Sequence, residues 1–302
     1  MRQQLLARIN QGKPGHALRR PPNSTLVSVV AITGFLSACA PAPLVPGASL
    51  SSYAGLSPSN GMTTKSKVYI NKERVLAAKT ISILPTAFPT TVAPKLTNQQ
   101  RALVANAINR ALCVSLSDRF NVVSPDVPAD LTVRAKVTQA TETDEIAAGL
   151  SAAAAIGTKF VDMGTEIPIP IPRIPIGLGN LSLEAEAVDS MGQQQAAMLW
   201  AKGAGVFFSK PKASKASDAY DLAAAFGDDF AYLLVKGKSP FGGGDWDLSL
   251  PAWHRINSAI GLAPKYAACE SYGRAPGVAG FVGKQLGLPP EWTDGGARKS
   301  AP

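Results

Sequence analysis

Between Leu131 and Thr138 apolar and polar residues alternate without a break: Leu131, Val133, Ala135 and Val137 fall on one side of the chain, and Thr132, Arg134, Lys136 and Thr138 on the other. A period of two is the signature of a strand with one face in a core and one in water, so this stretch commits the chain to a sheet. The same period runs through Leu181 to Val188, breaks at Asp189-Ser190-Met191-Gly192 and resumes from Ala196 to Phe208. Turn chemistry makes that segment a hairpin, because Asp can bond its own backbone and Gly accepts a positive φ. Two shorter runs read as further strands: Ile81 to Phe88, ended by Pro85 and Pro89, and Phe120 to Val123.

The helices announce themselves by a different period. Thr97-Asn98-Gln99-Gln100 is a capping-box pattern, and it opens a helix through about Asp118 on which Leu103, Ala107, Ala111 and Val114 recur at helical spacing, widened by Val104, Ile108, Leu112 and Leu116. A last helix, about Ser217 to Lys236, aligns Leu222, Phe226, Phe230 and Leu233. The order strand, helix, strand, strand, hairpin, helix defines an α+β domain over residues 63–237: a mostly antiparallel sheet packed with helices on one face. Residues 238–302 form an irregular Gly/Pro-rich C-terminal extension with Trp246, Trp253 and Trp292, either wrapped on the domain or partly disordered. Within the domain, Ile146 to Gly157 reads as a flexible Ala-rich insertion; the alternative, from the spacing of Gly149, Ala153 and Gly157, is oligomerisation through close helix approach or shallow membrane contact. In the Ile/Pro run that follows, prolines such as Pro172 and Pro175 keep an edge from pairing, or present an extended ligand.

At the N-terminus, Arg2, Arg8, Lys13, Arg19 and Arg20 precede the apolar run Leu26 to Phe35 and then Leu36-Ser37-Ala38-Cys39, with no acidic residue before the cysteine. Ten apolar residues are too few to cross roughly 30 Å of hydrocarbon, and small residues before a cut suit a signal peptidase. Leu-Ser-Ala-Cys resembles the lipobox of bacterial lipoproteins at all four positions. That resemblance implies removal of residues 1–38 and diacylglyceryl and acyl modification of Cys39, an anchor whose chains each contribute about 0.8 kcal/mol per buried methylene. Ala40 stands where retention in the inner membrane would call for Asp, so the expectation is a periplasm-facing anchor in the outer membrane. Residues 39–62, rich in Pro and Ser, read as an extended tether on which little packs, so that deleting 41–61 would cost reach and leave the fold intact.

Loss of the leader lowers the formal net charge from +9 to +4, which is a poor basis for nucleic-acid binding. Besides Cys39 two cysteines remain, Cys113 and Cys269. In an oxidising compartment an even pair invites a disulfide; two buried thiols are the alternative.

Taken with the lipobox, Tyr53-Ala54-Gly55-Leu56, the strand followed by a long helix, and Leu183-Glu-Ala-Glu-Ala-Val-Asp-Ser-Met-Gly192 resemble a family of uncharacterised proteobacterial lipoproteins, a domain of unknown function, over roughly residues 50–236. In that family the hairpin turn carries a Thr before its Gly; here Met191 stands there. The resemblance implies location and fold and brings no activity with it.

Chemistry-bearing residues are sparse. His254 is the one histidine after the leader, too few for a hydrolytic zinc site, and no metal or cofactor is expected. Gly277 to Lys284 has the glycines of a phosphate loop in the wrong register, with Gln285 in place of Ser/Thr. Carboxylates cluster at Glu142/Asp144/Glu145, Glu184/Glu186 and Asp228/Asp229, the residue type of a cell-wall or glycan hydrolase. The plainer expectation is an exposed strand face for Glu184 and Glu186, the wet side of a helix for Asp228 and Asp229, and a helix N-terminus for the first group. These readings favour a non-enzymatic protein that binds another envelope component, protein or peptidoglycan; carriage of a lipid or small molecule is the further alternative.

Overall fold

The computed structural model describes residues 42–157, 173, 176–205, 209–241 and 252–296. Cys39, Trp246 and most of the Ile/Pro run lie outside these residues. Seven strands form one sheet: β1 (Ser57–Pro58), β2 (Thr64–Ile70), β3 (Thr80–Ile83), β4 (Asn121–Val123), β5 (Leu131–Thr141), β6 (Asn180–Asp189) and β7 (Gln194–Gly203), in the order β1-β2-β7-β6-β5-β3-β4. Strand β3 runs parallel to β4 and β5, and every other pairing is antiparallel. A short helix, α1 (Lys72–Ala77), follows β2.

Two long helices cover one face. Helix α2 (Asn98–Leu116) begins with the capping box, Thr97 Oγ1 accepting from the Gln100 amide and Gln100 Oε1 from the Thr97 amide. Helix α3 (Glu145–Gly157) follows β5, and α4 (Ser217–Lys236) follows the β6–β7 hairpin. Leu131, Val133 and Val137 of β5, Leu181, Leu183 and Ala185 of β6, and Met198 and Trp200 of β7 point into a core closed by Ile108, Leu112, Phe226 and Phe230. Trp200 meets Phe226 edge-on with centroids 5.6 Å apart. The sheet packed with helices on one face is the architecture the two periods imply.

Strand β2 was hidden in the sequence because its core-side residues begin with Thr64 and Ser66, both buried, so no apolar alternation marks it. The Ala-rich stretch is helical, with Asp144 Oδ1 accepting from the Ile146 and Ala147 amides at its start; at Gly149 no described residue stands within 4 Å of where a Cβ would lie. Residues 252–296 wrap onto α2 as α5 (Trp253–Ala259), a 3₁₀ turn (Ala267–Tyr272), α6 (Gly277–Gln285) and α7 (Pro290–Thr293).

The open face of the sheet is not open. Residues 42–56 lie along it as a strap, with Leu44, Leu50 and Leu56 packed on Ala197, Leu199 and Tyr69. The tether expected of residues 39–62 is therefore, from Ala42 onward, part of the folded unit.

Candidate functional site

Glu184 and Glu186 stand on the strap side of β6, where period two places them, yet both are 0% exposed. The reading of an exposed strand face is corrected here: the strap covers it. Glu184 accepts hydrogen bonds from the amides of Gly47 (2.7 Å) and Ser49 (2.6 Å), from Ser49 Oγ (2.5 Å) and from Tyr53 Oη (2.6 Å). Glu186 accepts from the Ser51 amide (2.7 Å) and Gln194 Nε2 (2.9 Å) and pairs with Arg134 (2.6 Å). Lys136 Nζ donates to the Gly47 carbonyl at 2.7 Å. A Cβ at Gly47 would stand 2.5 Å from Thr138 Cγ2, so the chain approaches this closely because that residue is glycine.

Burial alone would raise the Glu184 carboxyl, but the donors from Ser49, Tyr53 and Gly47 outweigh it and hold it below its ordinary value. Burial and the Glu184 charge push the Tyr53 hydroxyl up. A carboxylate whose lone pairs are occupied by strap donors is a structural anchor, with nothing left to take a proton from a substrate. The Tyr-Ala-Gly-Leu segment thereby acquires a physical role: Tyr53 closes the clamp, Gly55 takes φ +78 and Leu56 joins the strap's apolar contacts.

The other carboxylates separate as well. Asp228 is exposed on α4, whereas Asp229 turns inward and accepts from Trp200 Nε1 at 2.8 Å. The wet-side reading is corrected for Asp229: burial pushes it up to about 6, against the pull of Trp200 and Lys202. Asp144 caps α3 and Glu145 lies in its first turn. At the hairpin, Asp189 Oδ1 accepts from the Met191 and Gln193 amides, and Gly192 has φ +76. Gly277 to Lys284 belongs to helix α6 and makes no loop. His254 Nε2 lies 3.0 Å from Asp118. Among the described residues no group of three His, Cys, Asp or Glu converges as a metal site, and no helix is long and apolar enough to cross a membrane.

Cys113 of α2 and Cys269 of the 3₁₀ turn are joined by a disulfide, with Cα atoms 5.8 Å apart. Beside it opens a cleft of about 480 Å³ between the two long helices and the C-terminal extension. Its walls are apolar: Ala111 and Val114 from α2, Ala224 from α4, and Ile256, Ala259 and Leu262 from the extension. Most of its charged groups are held in ion pairs, and Lys284 also lines it. Arg110 bonds Asp294 (2.5 Å), which also accepts from Tyr220 (2.6 Å), and Arg255 contacts both Asp118 (3.3 Å) and Asp228 (3.0 Å). Burial first, and then the Asp294 charge, drive the Tyr220 hydroxyl upward and keep it neutral. Ser258 Oγ and Asp221 Oδ2 are buried without a hydrogen-bond partner among the described residues, and both residues line the cleft. Trp253, Ile260 and Leu262 leave 80%, 53% and 51% of their surface exposed on or just after α5. Sequence reasoning missed this cleft because its walls come from three separate segments, α2, α4 and the extension, that no local pattern joins.

Clamp, disulfide and cleft belong to one α+β domain with a built-in N-terminal strap. A family model described as protein of unknown function, DUF3313, matches residues 47–230, more than half of the chain, and the protein belongs to that family. The match takes in most of the strap and stops short of the extension. No curated protein is significantly similar in sequence. Among solved structures, the PelC dodecamer from Paraburkholderia phytofirmans is 11% identical with a TM-score of 0.31, over 55% of this chain and 95% of that one. Protein XCC0632 from Xanthomonas campestris, of family DUF330, is 11% identical with a TM-score of 0.29, over 53% and 85%. Overlap this low says nothing of activity or assembly.

Proposed function

We propose that this protein is a non-enzymatic lipoprotein, anchored to the periplasm-facing surface of the outer membrane through diacylglyceryl and acyl groups on Cys39, whose domain binds an apolar segment of another envelope protein. The observation that carries the binding half is the cleft. Its apolar walls, two unpartnered polar atoms and largely ion-paired rim suit an apolar guest with one or two hydrogen-bonding groups. The anchoring half rests on Leu36-Ser37-Ala38-Cys39 behind a basic and apolar leader, and a disulfide fits the oxidising compartment that such a leader reaches.

The test is site-specific photo-crosslinking in intact envelopes, with a benzophenone side chain at Ile260 beside the cleft. A discrete crosslinked protein species is expected, lost when Ala224→Trp fills the cleft. A crosslink indifferent to that substitution would sink the assignment of the cleft. Peptidoglycan fragments in the crosslinked product would redirect the partner to the cell wall.

A second reading is favoured by volume: about 480 Å³ lies within the range of roughly 300–1,000 Å³ typical of small-molecule sites. Native mass spectrometry of the protein extracted in mild detergent decides this, since a carrier would retain a bound mass that Ala224→Trp abolishes.

A further inference from the structure

The strap joins the fold at one end of the sheet, and that end has an inverted surface. Ser182 Oγ donates to the Pro43 carbonyl at 2.7 Å, and from there the strap follows β6 past Glu184 to Glu186. The chain before Ala42 therefore departs where β6 begins. Strand register places the end of β5, the end of β7 and the start of β2 at the same edge: Asn180 faces Thr141 and Gly203, and Lys202 faces Thr64.

Helix α3 leaves β5 at that edge, with Glu145 its one charged residue. Its inward stripe is small: Ala148, Ser151 and Ala152 are buried, and Ala152 abuts Gly287. Its outward stripe is large and apolar, with Ile146 77% and Leu150 60% exposed and Ala153 following at i, i+4, i+7. A helix on a water-facing surface carries the opposite pattern. Two more exposed apolar residues lie at the same sheet edge. Ile176, 63% exposed, precedes Gly177, whose carbonyl accepts from the Asp144 amide at 2.9 Å. Met62, fully exposed, sits in the turn before β2, followed by exposed Lys65.

Chain length decides what covers this surface. Cys39 precedes the buried Ala42 by three residues, and three peptide units span at most about 11 Å. On the proposed acylation of Cys39, on which this inference rests, the acyl chains lie in the bilayer and the edge of the sheet is held against the headgroups. There is no tether long enough to hold it away. Interfacial helices bury an apolar face by roughly 5–10 Å, a depth within that reach. We propose that Ile146, Leu150, Ile176 and Met62 form a membrane-docking surface that enters the interface of the leaflet carrying the anchor, with Lys65 at its margin facing anionic headgroups.

The experiment uses the full chain processed in a Gram-negative host and reconstituted into vesicles of phosphatidylethanolamine and phosphatidylglycerol containing a diazirine-bearing lipid. After illumination, peptide mass spectrometry maps lipid adducts. Adducts are expected on the peptides carrying Ile146 and Leu150, Met62 and Ile176, and I146E/L150E lowers the α3 yield by roughly tenfold with an unchanged circular dichroism spectrum. An acyl mass on Cys39 with adducts absent from α3, or unchanged in the double variant, overturns the docking surface and leaves the anchor standing. Absence of an acyl mass on Cys39 overturns the anchor, and the docking surface with it.

Discussion

At the scale of single residues, two carboxylates with opposite perturbations govern how the fold responds to pH. Glu184 holds its proton less readily in the folded protein than its ordinary value of 4.5 implies. Its stabilisation is therefore complete above that value and lost as the pH falls through the lower, folded one. Glu184→Ala leaves the Gly47 and Ser49 amides unpaired beneath the strap and should cost about 2–4 kcal/mol in urea unfolding at neutral pH; a cost near zero would mean that the clamp is ornamental. Asp229 works the other way, with its carboxyl pushed from an ordinary 3.8 up to about 6. Between those values the folded state keeps a proton that the unfolded chain has lost, so stability falls as the pH rises through the window and then levels off. Asp229→Asn keeps an acceptor for Trp200 and removes the charge. It should abolish that slope and gain roughly 1–3 kcal/mol at neutral pH relative to acid, as read from unfolding midpoints across the window. Alternation placed Glu184 and Glu186 on the non-core face from sequence alone. What it could not carry was the covering segment, whose contacts bridge a sequence separation of 135.

At the scale of elements, those with one apolar face were legible and those without were not. Helix α4 spans Ser217–Lys236, the bounds its apolar spacing gives, and α2 begins at its capping box, because a periodic apolar stripe must be buried whatever else the chain does. Strand β2 and the strap show no such period. Their stabilisation comes from polar contacts with partners that local pattern does not name. Small polar residues Ser49 and Ser51 at alternate positions, near Gly47 and Tyr53, were the available signal, since that spacing matches the rise between Glu184 and Glu186 on a strand. The strap also reverses an expectation about deletion. Removing residues 42–53 uncovers Glu184, Glu186, Ala197 and Leu199, and should lower the melting temperature by roughly 10 °C or more, a few kcal/mol at 2–4 °C each. An unchanged melting curve would restore the free tether.

At the scale of the whole molecule, the disulfide decides whether the C-terminal extension is a wall or a flap. The bridge spans 156 residues, and chain entropy assigns such a loop about 5 kcal/mol. Two buried contacts share the load: Asn106 Nδ2 donates to the Tyr272 carbonyl and Tyr272 Oη to the Ile83 carbonyl, both at 2.6 Å. Burial pushes that phenol up to about 12, so it stays a donor through the physiological range. With C113A/C269A the extension should still dock but open more often, because the docked state loses an advantage in loop closure while keeping its hydrogen bonds. Limited proteolysis should then cut first within residues 252–296, well below the temperature at which the sheet melts. Cys269 lines the cleft whereas α3 does not. The Ile260 crosslink should therefore weaken in this variant while lipid adducts on Ile146 and Leu150 persist, which separates the proposed partner-binding surface, dependent on the disulfide, from the proposed membrane-docking one, independent of it. Parallel loss of both would mean that the extension and α3 open as one unit, and that the two surfaces are a single site.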